Sequence, residues 1–580
     1  MLRNGSVVPI HTLGKAGSLR SRIKMANEAT RACARARTNL PASIRIVAAG
    51  SSNCFNITTS IMSGMAGERP LVPVSGSTTA SVMAARSSHK GRISGIAAAW
   101  LISYALTLLI YLPWLSAPYY SDDFLFYFAP PPPHLYDFFR MPGASAQLYR
   151  PAESIILRVI QSHFGFHTLL IHLIAIAAHA SLCSMLWLAA MRLNITRFAA
   201  VVAVACLLLT QVAPPALLGN DSMSQAMGTA LCALSVLIAG AAYQNRVYLD
   251  SSGNLRASPN LLDIAGAFAF FAALLFKETG LGLVFPIALL SFLPALRKAG
   301  WLSATKIMVA RMLPYAGLIV VYLLLRLGAR GPLSGGGSYR VGFGFNVPRN
   351  LLQEAIALIN PVSSVAVFIG VAARSYGVLL VAALASGVVV VALAVGLWRI
   401  PADIPKFLVL CAFCALVPAI LLEHVSELYA YNAAPYFALL VGLAIATVWR
   451  KRKQALAIGL GLAIGCQIWA DREKAALMYA NGKAAERLLP ALQQYIDRMP
   501  RGGEIILAQS PVAEPRYSIY LLHGLDVLSI GCWRLGAIFG RPDVGVTLMP
   551  VEEAVTLPPD RPRLMLELRN GRLQPLASGS

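Results

Sequence analysis

One stretch near the start of the chain decides how the rest is interpreted, residues 95–124, which read GIAAAWLISYALTLLIYLPWLSAPYYSDDF. Its first part, residues 95–117, has the length that an apolar helix needs to cross a hydrocarbon core of about 30 Å at 1.5 Å per residue. Two adjacent carboxylates, Asp122 and Asp123, follow shortly after. A helix leaving the bilayer would therefore deliver an acid pair to the water interface, and ionisable groups near bilayer depth are usually functional.

The composition of the whole chain is typical of a membrane protein. Of its 580 residues, 57% are hydrophobic and only 13% are charged, and long apolar runs recur, which soluble globular proteins rarely contain. The net charge is +23, but the basic residues are not clustered with aromatic residues as a nucleic-acid surface requires. Most cysteines lie within apolar runs, where Cys packs as a small hydrophobe. We therefore expect neither a nucleic-acid partner nor a disulfide framework.

Eleven membrane-spanning helices are predicted, and one further apolar segment, 350–372, is predicted not to span. Counting 350–372 would invert every later segment and place the basic cluster Arg450-Lys451-Arg452-Lys453 outside, against the positive-inside rule. We expect 350–372 to be re-entrant or interfacial and broken at Asn360-Pro361. The eleven spans lie near 95–117, 168–191, 198–218, 223–243, 261–276, 279–296, 309–328, 376–398, 406–422, 432–449 and 455–470.

This pattern divides the chain into three parts. Residues 1–93 form a basic extension without a signal-peptide pattern and are predicted to be disordered. Residues 94–470 form the multi-pass domain, and residues 471–580 a small extracytoplasmic α/β domain. The last part is predicted to contain an amphipathic helix at 473–498, strands at 505–507, 527–529 and 544–548, and a hairpin with strands 564–568 and 573–576.

The predicted topology also assigns a working face. With the basic amino terminus inside, most carboxylates of the spanning region fall on the outer side, so the active face is predicted to be extracytoplasmic, in a bacterial inner (plasma) membrane. An excess of acids outside also follows simply from the bias that keeps Lys and Arg inside. Topology alone therefore does not distinguish an extracytoplasmic active face from this bias in the distribution of charges.

Other ionisable residues are predicted near the same membrane surface. Lys277-Glu278 separate two spans that are so short that the junction between them must lie at the membrane surface. Arg326 lies near the outer end of its span. A local ion pair between Lys277 and Glu278, or snorkelling of Arg326 to lipid phosphate, is the structural alternative to a substrate role. His172 and His179 lie two turns apart on one face of the second span. They lack the spacing and carboxylate partner of a zinc site, which favours interhelical hydrogen bonding, with substrate contact the alternative for His172.

In this order, the residues resemble the C-type glycosyltransferase (GT-C) superfamily, in particular the protein O-mannosyltransferase-like and related polyprenyl-phosphate-sugar transferases. The resemblance runs from about 95 to 475, with an Asp-Asp pair where Asp-Glu is commoner and without the tetratricopeptide array of some relatives. It rests on Asp122-Asp123, Tyr149-Arg150-Pro151, Phe166-His167 with His172, Lys277-Glu278, Tyr322 with Arg326, and Glu427-Leu-Tyr429-Ala-Tyr431.

The resemblance implies an all-α polytopic membrane fold of about 11 transmembrane helices, GT-C-like, with a small C-terminal α/β domain. It also implies an inverting glycosyltransferase that moves a sugar from a polyprenyl-phosphate donor to an acceptor hydroxyl of a protein, glycan or lipid on the non-cytoplasmic face. In such enzymes a carboxylate takes the acceptor proton, and cations stabilise the departing phosphate.

The same resemblance implies residue roles. Asp122 is the expected base, and Asp123 its support or an acceptor ligand. Arg150, Lys277 and Arg326 are expected to contact the donor phosphate. Together with Glu278 and His172 they are the substrate-binding candidates. No metal ligand is assigned, and a divalent metal is left open as a cofactor.

Two other classes of protein remain open. A transporter or lipid flippase would also hold charges at bilayer depth, but it should show paired broken helices near the midplane of corresponding halves. In this chain the charges gather at one face. A non-catalytic membrane scaffold is the other alternative.

Overall fold

The computed structural model describes most of the chain beyond residue 77. Residues 1–77 are outside this part, so the expected disorder of residues 1–93 remains a prediction, although helix α1 already begins at Thr78. The described residues are 78–128, 132–140, 148–193, 195–246, 248–249, 255–256, 261–329, 340–398, 400, 403–423, 426–449, 453–510, 516–558 and 561–576.

Helices dominate the described residues, as the all-α membrane fold requires. They are α1 (Thr78–Tyr111), α2 (Pro151–Phe164), α3 (Leu169–Arg192), α4 (Arg197–Leu208), α5 (Ala213–Leu218), α6 (Met223–Arg246), α7 (Leu261–Phe276), α8 (Val284–Gly328), α9 (Asn346–Ile359), α10 (Ser364–Ala372), α11 (Tyr376–Leu397), α12 (Asp403–Ile420), α13 (Ala434–Trp449), α14 (Lys453–Arg498), α15 (Leu535–Ile538) and α16 (Val551–Ala554).

The polytopic fold class is confirmed. Seven helical segments of the described chain are long and apolar enough to cross a membrane: Ser94–Trp114, α3, Met223–Ala242, Glu278–Arg297, Gly300–Gly328, α11 and α12. Three more predicted spans correspond to the shorter apolar helices α4, α7 and α13, and the last predicted span forms the first part of α14.

Three predicted spans differ in detail from the structure. The span 198–218 is broken into α4 and α5, because Pro214 and Pro215 lack the N–H groups that a continuous helix would need and fit only the first turn of a new one. The spans 279–296 and 309–328 are joined within α8. Gly300 makes the kink between them, with φ +73°, which only glycine adopts without strain.

The segment 350–372 is broken where the sequence predicts it. Helix α9 ends at Ile359, Asn360 is extended with φ −73° and ψ 122°, and α10 begins at Ser364. Pro361 lies in the break, where its missing N–H costs nothing. The predicted break is confirmed, and the re-entrant or interfacial placement remains a prediction.

The C-terminal region contains a four-stranded sheet, in which the neighbouring strands follow the order Gly545–Pro550, Glu504–Gln509, Arg563–Arg569 and Arg572–Pro575. Strands β3 (Glu504–Gln509), β4 (Gly545–Pro550) and β5 (Arg563–Arg569) are parallel, and β6 (Arg572–Pro575) closes an antiparallel hairpin with β5. The predicted hairpin turn is confirmed, since Asn570 and Gly571 have φ +50° and +75°. A separate two-residue pair, β1 (Tyr248–Leu249) with β2 (Leu255–Arg256), lies between α6 and α7.

One predicted strand of this region is wrong. Residues 527–529 lie at the end of a 3-10 turn, Gly524–Leu528, in which Val527 and Leu528 are buried. Helix α14 runs without a break from Lys453 to Arg498, past the expected boundary at 471. Of its predicted apolar stripe, Leu488, Leu492 and Ile496 are buried, while Leu477 and Ala484 are partly buried.

The C-terminal region shares one hydrophobic core with the helices. Gly531 approaches the turn that follows α1 so closely that an added Cβ would lie 2.6 Å from the Cβ of Phe124 and 2.8 Å from the carbonyl oxygen of Ser121. The Gly531 N–H donates to that Ser121 oxygen at 3.3 Å. Only glycine permits this contact, which places the C-terminal region directly against the acid pair.

Candidate active site

The acid pair lies on a 3-10 turn, Ser121–Phe126, that begins ten residues after α1 ends at Tyr111. Asp123 is buried, and its carboxylate accepts three hydrogen bonds: from the backbone N–H of Tyr120 at 3.1 Å, the side-chain amide of Asn220 at 2.9 Å and the backbone N–H of Asp221 at 3.2 Å. Asp123 therefore ties the turn to the 219–222 segment. Asp122 is half-buried.

Asp221 joins the pair to form an acidic cluster. One carboxylate oxygen from each of Asp122, Asp123 and Asp221 lies within 4.8 Å of the others. Burial, and then the charge of Asp221, raise the pKa of Asp122 to about 8. The same two causes hold the pKa of Asp123 well above its usual range. Three such carboxylates are hard oxygen ligands that a divalent cation could use.

A cationic half of the site begins at Arg150, immediately before α2. Its Nη1 lies 3.5 Å from the Glu153 carboxylate, and its Nε lies 3.9 Å from the Glu278 carboxylate. Glu153 is fully buried and also accepts the Ser224 N–H at 3.1 Å. Burial raises the pKa of Glu153 to about 7, although Arg150 opposes the shift. Arg150 thus lies between carboxylates of α2 and of the turn after α7.

Lys277 completes the junction between α7 and the turn Glu278–Leu283. Its side chain is buried, and its ammonium lies 5.3 Å from the centre of the Tyr429 ring, a cation–π distance. Burial, and then the nearby charge of Arg150, lower the pKa of Lys277 to about 7. The ammonium is therefore close to its titration point at neutral pH.

Arg326 reaches the same site from the end of α8. Its Nη1 donates to the Tyr322 hydroxyl at 3.3 Å, and the Tyr322 ring packs at 5.8 Å against the Tyr149 ring, which precedes Arg150. The buried Arg326 is therefore held beside the segment that carries Arg150. The structure brings together Asp122, Asp123, Arg150, Lys277, Glu278 and Arg326 from separate segments.

His172 lies in the wall of the site. It is fully buried, and its Nδ1 is 2.7 Å from the Leu115 carbonyl oxygen. His179, two turns along α3, makes a 2.6 Å contact with the Tyr431 hydroxyl. Both histidines thus link α3 to other elements, which confirms the interhelical role. A substrate role for His172 remains a prediction.

The sequence reasoning missed a second buried network behind the site. Lys474 on α14 is fully buried, and its ammonium lies 2.8 Å from the Glu427 carboxylate and 2.9 Å from the Gln211 carbonyl oxygen. Glu427 also accepts hydrogen bonds from the hydroxyls of Tyr520 and Ser364. Since Glu427 begins the turn Glu427–Asn432 that contains Tyr429, this network fixes the ring packed on Lys277.

Some of the missed residues carried a signal in the sequence. Asp221 lies in Gly219-Asn220-Asp221-Ser222, a composition typical of a tight turn. The predicted topology places that turn on the same side as Asp122, so Asp221 could have been assigned to the site. Lys474 carried no comparable signal, because it lies at the start of the predicted amphipathic helix 473–498 and outside its apolar stripe.

The chain is similar to the crystal structure of ArnT from Cupriavidus metallidurans bound to undecaprenyl phosphate, with a TM-score of 0.44 and 11% sequence identity. The similarity covers 81% of this chain and 93% of the other. No protein-family model and no curated protein matches the chain.

Proposed function

We propose that this protein is an inverting membrane glycosyltransferase of the GT-C type, which transfers a sugar from a polyprenyl-phosphate donor to an acceptor hydroxyl on the extracytoplasmic face. The observation that carries the proposal is the pairing, within one site, of a half-buried acid of raised pKa with three buried cations. An acid–base group and phosphate-binding cations are the two components that such a transfer requires.

The acid half supplies the base. Asp123 is fully used in holding the turn, since three donors occupy its oxygens. Asp122 is not committed in this way and remains half-exposed. A pKa of about 8 makes it a stronger proton acceptor than an ordinary carboxylate, once it is ionised.

The cationic half supplies the phosphate contacts. As the acceptor oxygen bonds to the anomeric carbon, the bond from that carbon to the donor phosphate breaks and both electrons leave with the phosphate. The acceptor proton passes to Asp122. Arg150, Lys277 and Arg326 stabilise the charge that develops on the phosphate, and guanidinium groups suit this role because they present paired N–H donors.

The test is Asp122→Asn, which keeps the size and hydrogen-bonding capacity of the side chain but removes its basicity. Sugar transfer from a purified polyprenyl-phosphate sugar should fall by about 10²- to 10⁴-fold, the range of general-base contributions. Thermal stability should stay near that of the wild type. Full turnover in Asp122→Asn would move the base elsewhere, with Asp123 and Glu153 the next candidates.

A matched control is available on the next 3-10 turn, Leu135–Phe139. Asp137 accepts the His134 N–H at 3.0 Å, as Asp123 accepts that of Tyr120, but it is half-buried and lies outside the acidic cluster of Asp122, Asp123 and Asp221. Asp137→Asn should leave transfer unchanged. Loss of donor flux across vesicles in Asp122→Asn, without any sugar transfer by the wild type, would instead favour a flippase.

A further inference from the structure

A cavity lies among the membrane helices, away from the acid–cation site that contains Asp122, Arg150, Lys277 and Arg326. It encloses about 380 Å³ between α3, α6, α8, α12 and α13, a size within the range of small-molecule sites. Its walls are almost entirely aliphatic or aromatic, including Leu186, Val236, Leu290, Phe407 and Leu439. Such a lining fits a hydrocarbon chain.

Three charged residues stand at the rim of this cavity, and each lies at a helix end or span end. Arg192 is the last residue of α3, Arg297 is the last residue of the span Glu278–Arg297, and Asp403 is the first of α12. Arg297 Nη2 lies 2.8 Å from Asp403 Oδ2, with both side chains about two-thirds exposed. The rim therefore lies at a membrane surface, open to the headgroup region.

The rim retains hydrogen-bond donors for a phosphate. Arg192 Nη1 donates to the Leu237 carbonyl oxygen at 3.1 Å, which orients the guanidinium and uses one of its five N–H donors. The formal charge of the three rim residues is +1, from Arg192 and Arg297 less Asp403. The exposed Lys306 and Lys406 belong to the same predicted cytoplasmic side.

The rim is too far from the candidate active site to serve the same lipid head. Helix α3 runs from His172, which contacts Leu115 near the acid turn, to Arg192 at the rim. Those 20 residues cover about 30 Å, one hydrocarbon thickness. A donor whose phosphate lies at Lys277 cannot also place that phosphate at Arg192, so any lipid head at the rim belongs to another molecule in the opposite leaflet.

We propose that this cavity binds one anionic phospholipid, with an acyl chain in the cleft and the headgroup phosphate on Arg192 and Arg297. Basic pockets between transmembrane helices on the cytoplasmic side recognise anionic headgroups, and Arg is suited to phosphate. The inference does not depend on the proposed transferase activity.

Gly240 allows the acyl-chain site to be blocked without a clash. It lines the cleft, and an added Cβ there would meet no atom within 4 Å. Leu in place of Gly also favours the helix, so Gly240→Leu should fold and fill the cleft. Arg192→Gln/Arg297→Gln removes the charge while leaving the cleft open.

The experiment measures retained lipid by native mass spectrometry on the full chain, after reconstitution with phosphatidylglycerol and phosphatidylcholine in equal amounts. The wild type should keep phosphatidylglycerol in preference. The double Arg variant should lose about tenfold of that preference, equivalent to about 1.4 kcal/mol, and Gly240→Leu should retain less of both lipids. Arg487→Gln, an exposed cation on α14, is the matched control and should behave as wild type.

Each outcome decides the proposal. An unchanged preference in the double Arg variant overturns the headgroup assignment, and unchanged retention in Gly240→Leu overturns the acyl-chain site. Equal loss in Arg487→Gln would reduce the preference to general surface charge and would also overturn it. Far-UV circular dichroism and the thermal stability of each purified variant serve as the check that it is folded.

Discussion

The buried ion pair between Lys474 and Glu427 gives a sharp test of the packing behind the site. Replacing Lys474 by Met keeps the aliphatic stem but removes an ammonium held by the Glu427 carboxylate at 2.8 Å and by two Gln211 oxygens at 2.9 and 3.2 Å. Removing one partner of a buried pair costs about 3–5 kcal/mol, because the other charge is left uncompensated. Tyr520 and Ser364 still donate to Glu427, so we expect a loss near the lower end, about 3 kcal/mol.

The assay is an SDS titration in mixed micelles, monitored by near-UV circular dichroism, from which the free energy of unfolding is obtained. Lys474→Met combined with Glu427→Gln should recover much of the loss, since the carboxylate charge is then gone. The control is on the same helix: Lys483 pairs with Glu486 at 2.6 Å, but both side chains are about half-exposed. Lys483→Met should leave the unfolding free energy nearly unchanged. Equal effects of the two Met variants would refute the reasoning.

Four further predictions concern the site and the topology. Because the pKa of Lys277 is lowered to about 7, its ammonium is charged below that pH and neutral above it, so the KM for donor should rise from about pH 6 to about pH 8, and Lys277→Arg should flatten this rise. Ionisation of Asp122, with a pKa of about 8, should make kcat increase over the same range; a flat kcat profile would contradict its role as base. Arg326→Gln should weaken donor use in a folded protein, and unchanged donor kinetics would remove Arg326 from the site. For topology, a cysteine placed at Asn570 should react with an impermeant reagent in intact cells and one at Lys451 should not; the reverse pattern would invert the proposed orientation.

Much of the fold could be predicted because membrane helices are encoded locally. Each span is a continuous apolar run, and the breaks at Pro214 and at Pro361 follow from the missing proline N–H. The first of these was overlooked, because hydropathy averages over a break of four residues. The 527–529 prediction failed for a related reason. A short apolar run has the same composition in a strand and in a buried 3-10 turn, and only its tertiary packing distinguishes them.

The candidate site could be predicted only in part, for the same reason. Asp122, Lys277 and Arg326 lie at span ends, so topology alone placed them on one surface. The Tyr429 ring that packs on Lys277 is held by the contact between Glu427 and Lys474 of α14, and no local pattern encodes that contact.

The contact of Gly531 with Ser121 has a consequence for biogenesis. The two hydroxyls beside this contact, on Ser121 and Ser529, are 3.3 Å apart in space and 408 residues apart in sequence. At about 5–20 residues per second, a ribosome would take on the order of 20–80 seconds to cover that interval. The acid turn is thus inserted early but acquires its last wall only when the carboxyl-terminal region has been made and has docked. The site of a nascent chain would thus stay incomplete until synthesis is finished, and a premature stop would yield an inserted protein whose acid turn lacks that wall.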